Sequence, residues 1–400
     1  MVRATVTALS AAVLLAMPAG AAPSGPTALG TNGRIVFVTD RDGSDELYLV
    51  TAAGGQQIRL TNNRQGDRDP EWSPDGGVVA FARDLGGATE VFAKAGAGRD
   101  ERLTYQRARE ADPTYSPAGA RLAFSSTRTG NADVHVVTIG SFGAVNLTNH
   151  PAEDTQPAWS PSGRRLAFAT TRDGNREIYV INDDGSGLEN LTRSATDEWD
   201  PEWSPDGRQI AFTSRREANT DVYALNVSSR AVRRLTDHSA EDVEPAWAPD
   251  GRLIAFATER EGDFEIYVMR ADGSGARNYS NSPRGGDRDP DWERLPGSVG
   301  TTQKSTPTVV YPDRAPCTAQ GTRRGDTLQG TPRIDVICGR GGNDLIVGRS
   351  GRDILRGEAG NDTFRAGDGE ADKIFGGPGR DIAFVDPIDD VVGVEVVRYR

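Results

Sequence analysis

A phrase of proline, any residue and an aromatic recurs six times: Pro70-Glu71-Trp72, Pro113-Thr114-Tyr115, Pro157-Ala158-Trp159, Pro201-Glu202-Trp203, Pro245-Ala246-Trp247 and Pro290-Asp291-Trp292. The aromatic positions step by 43, 44, 44, 44 and 45 residues. A second marker, Phe37, Phe81, Phe124, Phe168, Phe212 and Phe256, steps by 44, 43, 44, 44 and 44. Six copies in register restrict the chain to a repeat architecture, and about 40–45 residues is the length of a four-stranded propeller blade.

Each unit carries the local signals of four short strands. Trp203-Ser204-Pro205-Asp206-Gly207 ends one strand in a Pro-Asp-Gly turn. In the next, Gln209 to Ser214, Ile210 and Phe212 share one face while Ala211 and Thr213 share the other. Both faces are apolar or small, as a sheet packed between two neighbouring sheets requires. Asp221 to Leu225 and Val232 to Thr236 supply the remaining strands. The first unit starts at Arg34 without a Pro-x-Trp phrase, and the last phrase has no strands after it. The expectation is ring closure, with the strand at Asp289–Glu293 completing the first blade and removing the free sheet edges.

These residues resemble the WD-like repeats of TolB-type β-propellers, whose pattern is roughly D-x-x-P-x-W-S-P-D-G, I-A-F, I-Y-V, L-T. The resemblance spans about Arg34 to Glu293 and implies a six-bladed propeller over residues 33–294. Full TolB proteins carry an α/β domain before the propeller; here only about a dozen mature residues precede the first strand.

After a Pro-, Thr- and Ser-rich linker, 295–320, the period changes to nine. Units begin at Gly321, Gly330, Gly339, Gly348, Gly357, Gly367 and Gly376, with Ala366 inserted. The sixth position is Asp326, Asp335, Asp344, Asp353, Asp362, Asp372 and Asp381, and the eighth is apolar throughout, from Leu328 to Ala383. This resembles the RTX, or haemolysin-type, calcium-binding nonapeptide G-G-x-G-x-D-x-U-x. The resemblance implies a small parallel β-roll over 321–400, two nonapeptides to a coil, with Ca2+ between stacked turns. Glycine-rich turns free backbone carbonyls to face a hard cation, and aspartate adds a charged oxygen. The expected ligands are Asp344, Asp353, Asp362, Asp372 and Asp381 with the turns marked by Gly339, Gly342, Gly348, Gly351, Gly357 and Gly360. Arg324 and Arg333 replace the fourth-position glycine in the first two units and Glu370 in the sixth, which weakens those half-sites. Ten acidic and ten basic residues lie between Gly321 and Phe384, so the roll has no net negative field, and a purely structural glycine coil is the alternative. The only two cysteines, Cys317 and Cys338, flank the first two nonapeptides, where a disulfide would cap the open end of the roll.

At the N-terminus, Met1-Val2-Arg3 precedes an apolar run to Met17, and Ala19-Gly20-Ala21 offers a small-x-small cleavage site. Residues 1–21 thus read as a secretory signal peptide, and the expectation is an exported monomer without membrane insertion. A net charge of −12 argues against nucleic-acid binding.

Two sets of aligned residues precede the blade aromatics. Asp67, Glu110, Asp154, Glu198, Asp242 and Asp287 lie five residues before them; Asp69, Asp112, Gln156, Asp200, Glu244 and Asp289 lie three before. Equivalent positions form rings about a propeller axis, so eleven carboxylates are expected at one channel mouth, with Asp67 and its equivalents as the binding set. Two roles are open: attraction of a cation or basic peptide, or capping of turns and bracing of neighbouring blades. Catalytic signals are sparse. The chain has three histidines, His135, His150 and His238, and neither a G-x-S-x-G elbow nor an H-E-x-x-H motif. The fold class expected is all-β, a six-bladed propeller plus a small C-terminal roll, binding a protein or peptide at the channel. A secreted polysaccharide lyase or hydrolase is the alternative function.

Overall fold

The computed structural model describes residues 31–295 and 317–399, apart from 97, 99, 107, 140–142, 217–218, 371 and 388. The expected signal peptide and most of the expected linker lie outside the described residues. Among the described residues every regular element is a strand. Six four-stranded antiparallel sheets form the blades and two five-stranded parallel sheets form the roll.

Blade 5 shows how the repeat folds. Glu198–Trp203, Gln209–Ser214, Asp221–Asn226 and Val232–Arg234 pair in that order, from the axis outward. Phe212 and its five equivalents are fully buried, and each stacks or tilts against a ring on the next strand, from Phe37–Tyr48 to Phe256–Tyr267. Alanines on the opposite face, such as Ala211 and Ala255, pack against the neighbouring blade. The two-faced apolar pattern is therefore the inter-blade core.

Closure follows the expected route. Asp287–Leu295 is the innermost strand of the first blade and pairs with Thr31–Thr39, setting Trp292 opposite Ile35. The Arg34 guanidinium donates to Glu293 at 2.8 Å, and the Trp72 N–H donates to Asp291 at 2.6 Å. The seam thus joins the two ends of the repeat array, as a ring without free edges demands.

In the roll, one sheet contains Val336–Cys338, Ile354–Arg356 and Lys373–Phe375, and the other Leu345–Val347, Thr363–Arg365 and Ile382–Val385. Leu328, Ile346 and Phe364 stack in register on one side, and Ile337, Leu355 and Ile374 on the other. The eighth-position side chains from Ile337 to Ala383 make the roll's core. Asp390–Val392 and Val396–Tyr399 finish the two sheets. A disulfide joins Cys317 to Cys338, with Cα atoms 5.9 Å apart, at the start of the roll.

Candidate functional site: an acidic propeller channel and a row of glycine turns

The inner strand of every blade contains a bulge. In blade 2, Arg68 pairs with Ala82 but Glu71 pairs with Ala80, so the inner strand carries one extra residue. The residue at the bulge takes a left-handed conformation in all six blades: φ is 51° at Asp69, 50° at Asp112, 54° at Gln156, 51° at Asp200, 55° at Glu244 and 49° at Asp289. Aspartate tolerates this region better than most side chains. An extra residue also inverts the in-out alternation that follows it.

That inversion separates the two acidic sets. Asp67, Glu110, Asp154, Glu198, Asp242 and Asp287 are not at the channel mouth, contrary to the sequence expectation. All six are fully buried. Each meets an arginine: Arg83 with Asp67 at 2.6 Å, Arg172 with Asp154 at 2.9 Å, Arg216 with Glu198 at 2.7 Å, and Arg260 with Asp242 and Arg41 with Asp287 at 2.8 Å. Arg128 completes the set with Glu110. These guanidiniums lie over the blade's aromatic rings, Arg172 at 4.9 Å from the Tyr179 centroid and Arg83 at 4.8 Å from that of Phe92. The first ring of acids is a set of internal braces, and the arginines that complete it escaped the sequence reading. Five of them, Arg41, Arg128, Arg172, Arg216 and Arg260, were legible as a further periodic residue just after the second strand, whereas Arg83 lies inside it.

The second set does line the axis. A cavity of about 200 Å³ is bounded by Asp69, Asp112, Gln156, Asp200, Glu244 and Asp289, by the six prolines, and by Glu71, Thr114, Ala158, Glu202, Ala246 and Asp291. Eight carboxylates therefore face it, and no lysine or arginine lines it. Glu71, Glu202 and Asp291 were missed, although the middle residue of the Pro-x-aromatic phrase is acidic in those three repeats. A wider pocket of about 510 Å³ shares Glu244 and Asp289 with this cavity and adds Asp40, Asp45, Glu259 and Asp263, with Arg68 and Arg288.

Part of this ring ties blades together. Asp112 N–H donates to Asp69 at 3.2 Å, Gln156 N–H to Asp112 at 3.1 Å, Asp200 N–H to Gln156 at 3.2 Å, and Asp289 N–H to Glu244 at 2.8 Å. Burial, reinforced by repulsion from other acids of the ring, pushes Asp200 and Glu244 up to about 7. Burial alone does the same to Asp291. Asp69, Glu71, Glu202 and Asp289 are raised well above the usual carboxylate range by burial first and neighbouring acids second. Such a site favours protons or an incoming cation.

The histidines belong to the scaffold. His135 takes the aromatic position of blade 3 and stacks on Phe124 with centroids 6.1 Å apart. His150 and His238 accept N–H bonds from Ala152 and Ala240 inside turns.

In the roll, one carboxylate oxygen of each aspartate holds the stack: Asp344 accepts from Asp326 N–H at 2.7 Å, and Asp353, Asp362 and Asp372 accept from Asp335, Asp344 and Asp353 N–H at 2.8 Å. Asp381 accepts from Asp362 N–H likewise. The other oxygen, Oδ2, of Asp344, Asp353, Asp362, Asp372 and Asp381 is buried with no hydrogen-bond partner. Burial raises Asp362 to about 6, Asp353 to about 7 and Asp372 to about 8. The Oδ2 atoms crowd the first glycine of their own turns: a Cβ on Gly348 would lie 2.7 Å from Asp353 Oδ2, and one on Gly376 2.5 Å from Asp381 Oδ2. Gly339 and Gly357 are as tightly placed against Asp344 and Asp362. Gly342, Gly351 and Gly360 have φ of 98°, 114° and 145° and sit against the backbone of the coil before. Among the described residues no three histidine, cysteine or carboxylate side chains converge as a metal ligand set. One orphaned carboxylate oxygen among glycine-turn carbonyls is the donor set that an oxygen-seeking cation would use here, and the residues fit calcium in that respect.

Comparison with known proteins agrees with both halves of this geometry. The TolB β-propeller domain family matches residues 106–202 and 196–293, and the RTX calcium-binding nonapeptide family matches 320–355, 339–370 and 347–383. The chain carries a TolB-type propeller followed by RTX nonapeptide repeats. A TolB homologue of Chlorobaculum tepidum is 36% identical over 61 residues, which is 15% of this chain and 14% of that protein. The structure of TolB from Acinetobacter baumannii has a TM-score of 0.58 at 22% identity, over 65% of this chain and 66% of that one. Putative TolB from Agrobacterium tumefaciens gives 0.52 at 21%, over 66% and 99%. Hydrazine synthase from Kuenenia stuttgartiensis gives 0.56 at 15%, over 66% and 47%. These structural likenesses concern the fold of the TolB-type propeller alone.

Proposed function

We propose that this is an exported, calcium-binding protein whose propeller is a platform for a protein or peptide partner, with no catalytic role. The observation that carries the binding reading is the cavity with eight carboxylates and no basic lining residue. It offers a desolvated place for a lysine or arginine of the partner, and the wider acidic pocket offers room for the adjoining residues. The Cys317–Cys338 disulfide supports an oxidising compartment outside the cytosol. In the roll, Asp344, Asp353, Asp362, Asp372 and Asp381 would hold Ca2+ with carbonyls of their turns. The ion would supply the positive charge that these buried oxygens lack.

The test is capture of lysine-rich peptides by the full chain and by an Asp69→Asn, Asp200→Asn, Glu244→Gln variant. An amide already serves in this ring at Gln156, where it accepts the Asp200 N–H, so the variant keeps the blades joined. Binding is expected to fall at least tenfold with the fold intact. Unchanged capture would leave the ring as an inter-blade tie only.

A further inference from the structure

The seven nonapeptide turns are of two kinds. In the first, Thr322 donates its N–H to Asp326 Oδ2 at 2.6 Å and its hydroxyl to the same atom at 2.8 Å. In the second, Thr331 does the same to Asp335 Oδ2, at 2.6 and 2.8 Å. The corresponding Oδ2 in the remaining five turns is buried and has no partner.

Four of these five turns also differ from the first two at their second residue. Arg340, Arg349, Glu358 and Gly377 take φ of 75°, 71°, 65° and 100° there. In the sixth unit the second residue, Asp368, is not left-handed, and Asp372 Oδ2 is without a partner all the same. Threonine is branched at Cβ and strongly resists that region. Thr322 and Thr331 are absent from the left-handed set, and so are Arg324 and Arg333, where Gly342, Gly351 and Gly360 are left-handed. The first two turns fold back on their own aspartate. The oxygen that would reach a cation is already bonded twice. Gly321 and Gly330 show the consequence, since a Cβ there would clear the aspartate Oδ2 by 3.0 and 3.1 Å, more than at Gly348 or Gly376.

We propose that Thr322 and Thr331 stand in for calcium at Asp326 and Asp335, so that the disulfide-linked end of the roll is built without metal. Calcium then enters only beside Asp344, Asp353, Asp362, Asp372 and Asp381, although the nonapeptide family match begins at residue 320. The inference rests on the calcium reading above and divides the repeats within it. The roll has a metal-free start held by two hydroxyls and the Cys317–Cys338 bond, and a metal-dependent body stacked on it.

The experiment is a crystal of the full chain grown with calcium and read by anomalous difference density, with ions counted in solution by native mass spectrometry. Expected are ions at the five later turns, none within about 2.3–2.6 Å of Asp326 or Asp335, and a count of at most five. An Asp326→Asn, Asp335→Asn variant is expected to keep the full count, while Asp353→Asn loses at least one ion. An ion on Asp326 or Asp335, or a lower count in the double variant, overturns the inference and leaves calcium binding itself standing. No ion at any turn removes the calcium reading.

Discussion

Asp154 in blade 4 and Asp353 in the roll are both shut off from solvent. Asp154 has Arg172 on both oxygens at 2.9 Å, whereas Asp353 keeps one oxygen without any partner. The propeller brings its own counter-charge, placed by the same repeat that places the acid. The roll does not, and its arginines lie elsewhere. A buried charge is tolerated only when paired or metal-bound, so the first region is complete as a polypeptide and the second calls for an ion. The channel acids are a third case, partly bonded to blade N–H groups but with no basic residue lining their cavity.

The sharpest break between the two regions is expected from calcium removal. In chelator, hydrogen exchange of the full chain should show the segment from Gly339 to Val385 losing its protection, while the six blades keep theirs. Magnesium should not restore the roll, because it prefers tight octahedral sites and retains its waters. Protection of Ile346 and Leu355 that is indifferent to calcium would make the nonapeptides a plain structural coil.

A smaller effect should come from removing a brace. Arg172→Met leaves Asp154 buried without its partner, and loss of one member of a buried pair costs about 3–5 kcal/mol. Denaturant unfolding monitored by tryptophan fluorescence measures this. Asp200→Asn, at the axis, is expected to leave stability unchanged or raise it, since it removes a carboxylate that burial already disfavours. Equal losses in the two variants would erase the distinction between brace and channel acid.

The smallest expected effect is on pH dependence. Asp200, Glu244 and Asp291 sit near 7 in the folded chain, against roughly 4 in an unfolded one. The folded state therefore holds extra protons between these values. Their contribution to stability is full below about pH 4 and is lost as pH rises through 7. With calcium saturating, the thermal midpoint of the propeller should fall from pH 6 to pH 8 by about 2–4 °C, the change about 1 kcal/mol makes in a domain of this size. The slope should flatten in the Asp200→Asn, Glu244→Gln variant and on binding of a basic peptide. A midpoint that rises with pH would contradict the burial of these groups at the axis.

Much of the architecture was legible in the chain itself. Phe37 to Phe256 at 44-residue spacing announced six equivalent sheets, and the unpaired phrase at Pro290 announced the strand that closes the ring. The nine-residue period placed Ile346 and Leu355 inside the roll, and the two cysteines at its start. These features are local or periodic, and a repeat writes its own geometry because each unit must bury the same faces against its neighbour.

The tertiary structure alone decided which acids see the channel. Asp67, Asp69 and Glu71 alternate in sequence and would share a face of a regular strand, but the bulge at Asp69 turns Asp67 into the blade toward Arg83 and leaves Asp69 and Glu71 at the axis. It also decided that Asp326 and Asp353, identical by position, differ in what they lack, because a threonine at the second position of one turn bonds the oxygen that the other leaves bare. Residue type and spacing set where a carboxylate sits along the chain. The backbone conformation of its neighbours sets what it faces, and conformations such as a left-handed bulge are paid for by contacts from other blades and coils that no single repeat contains.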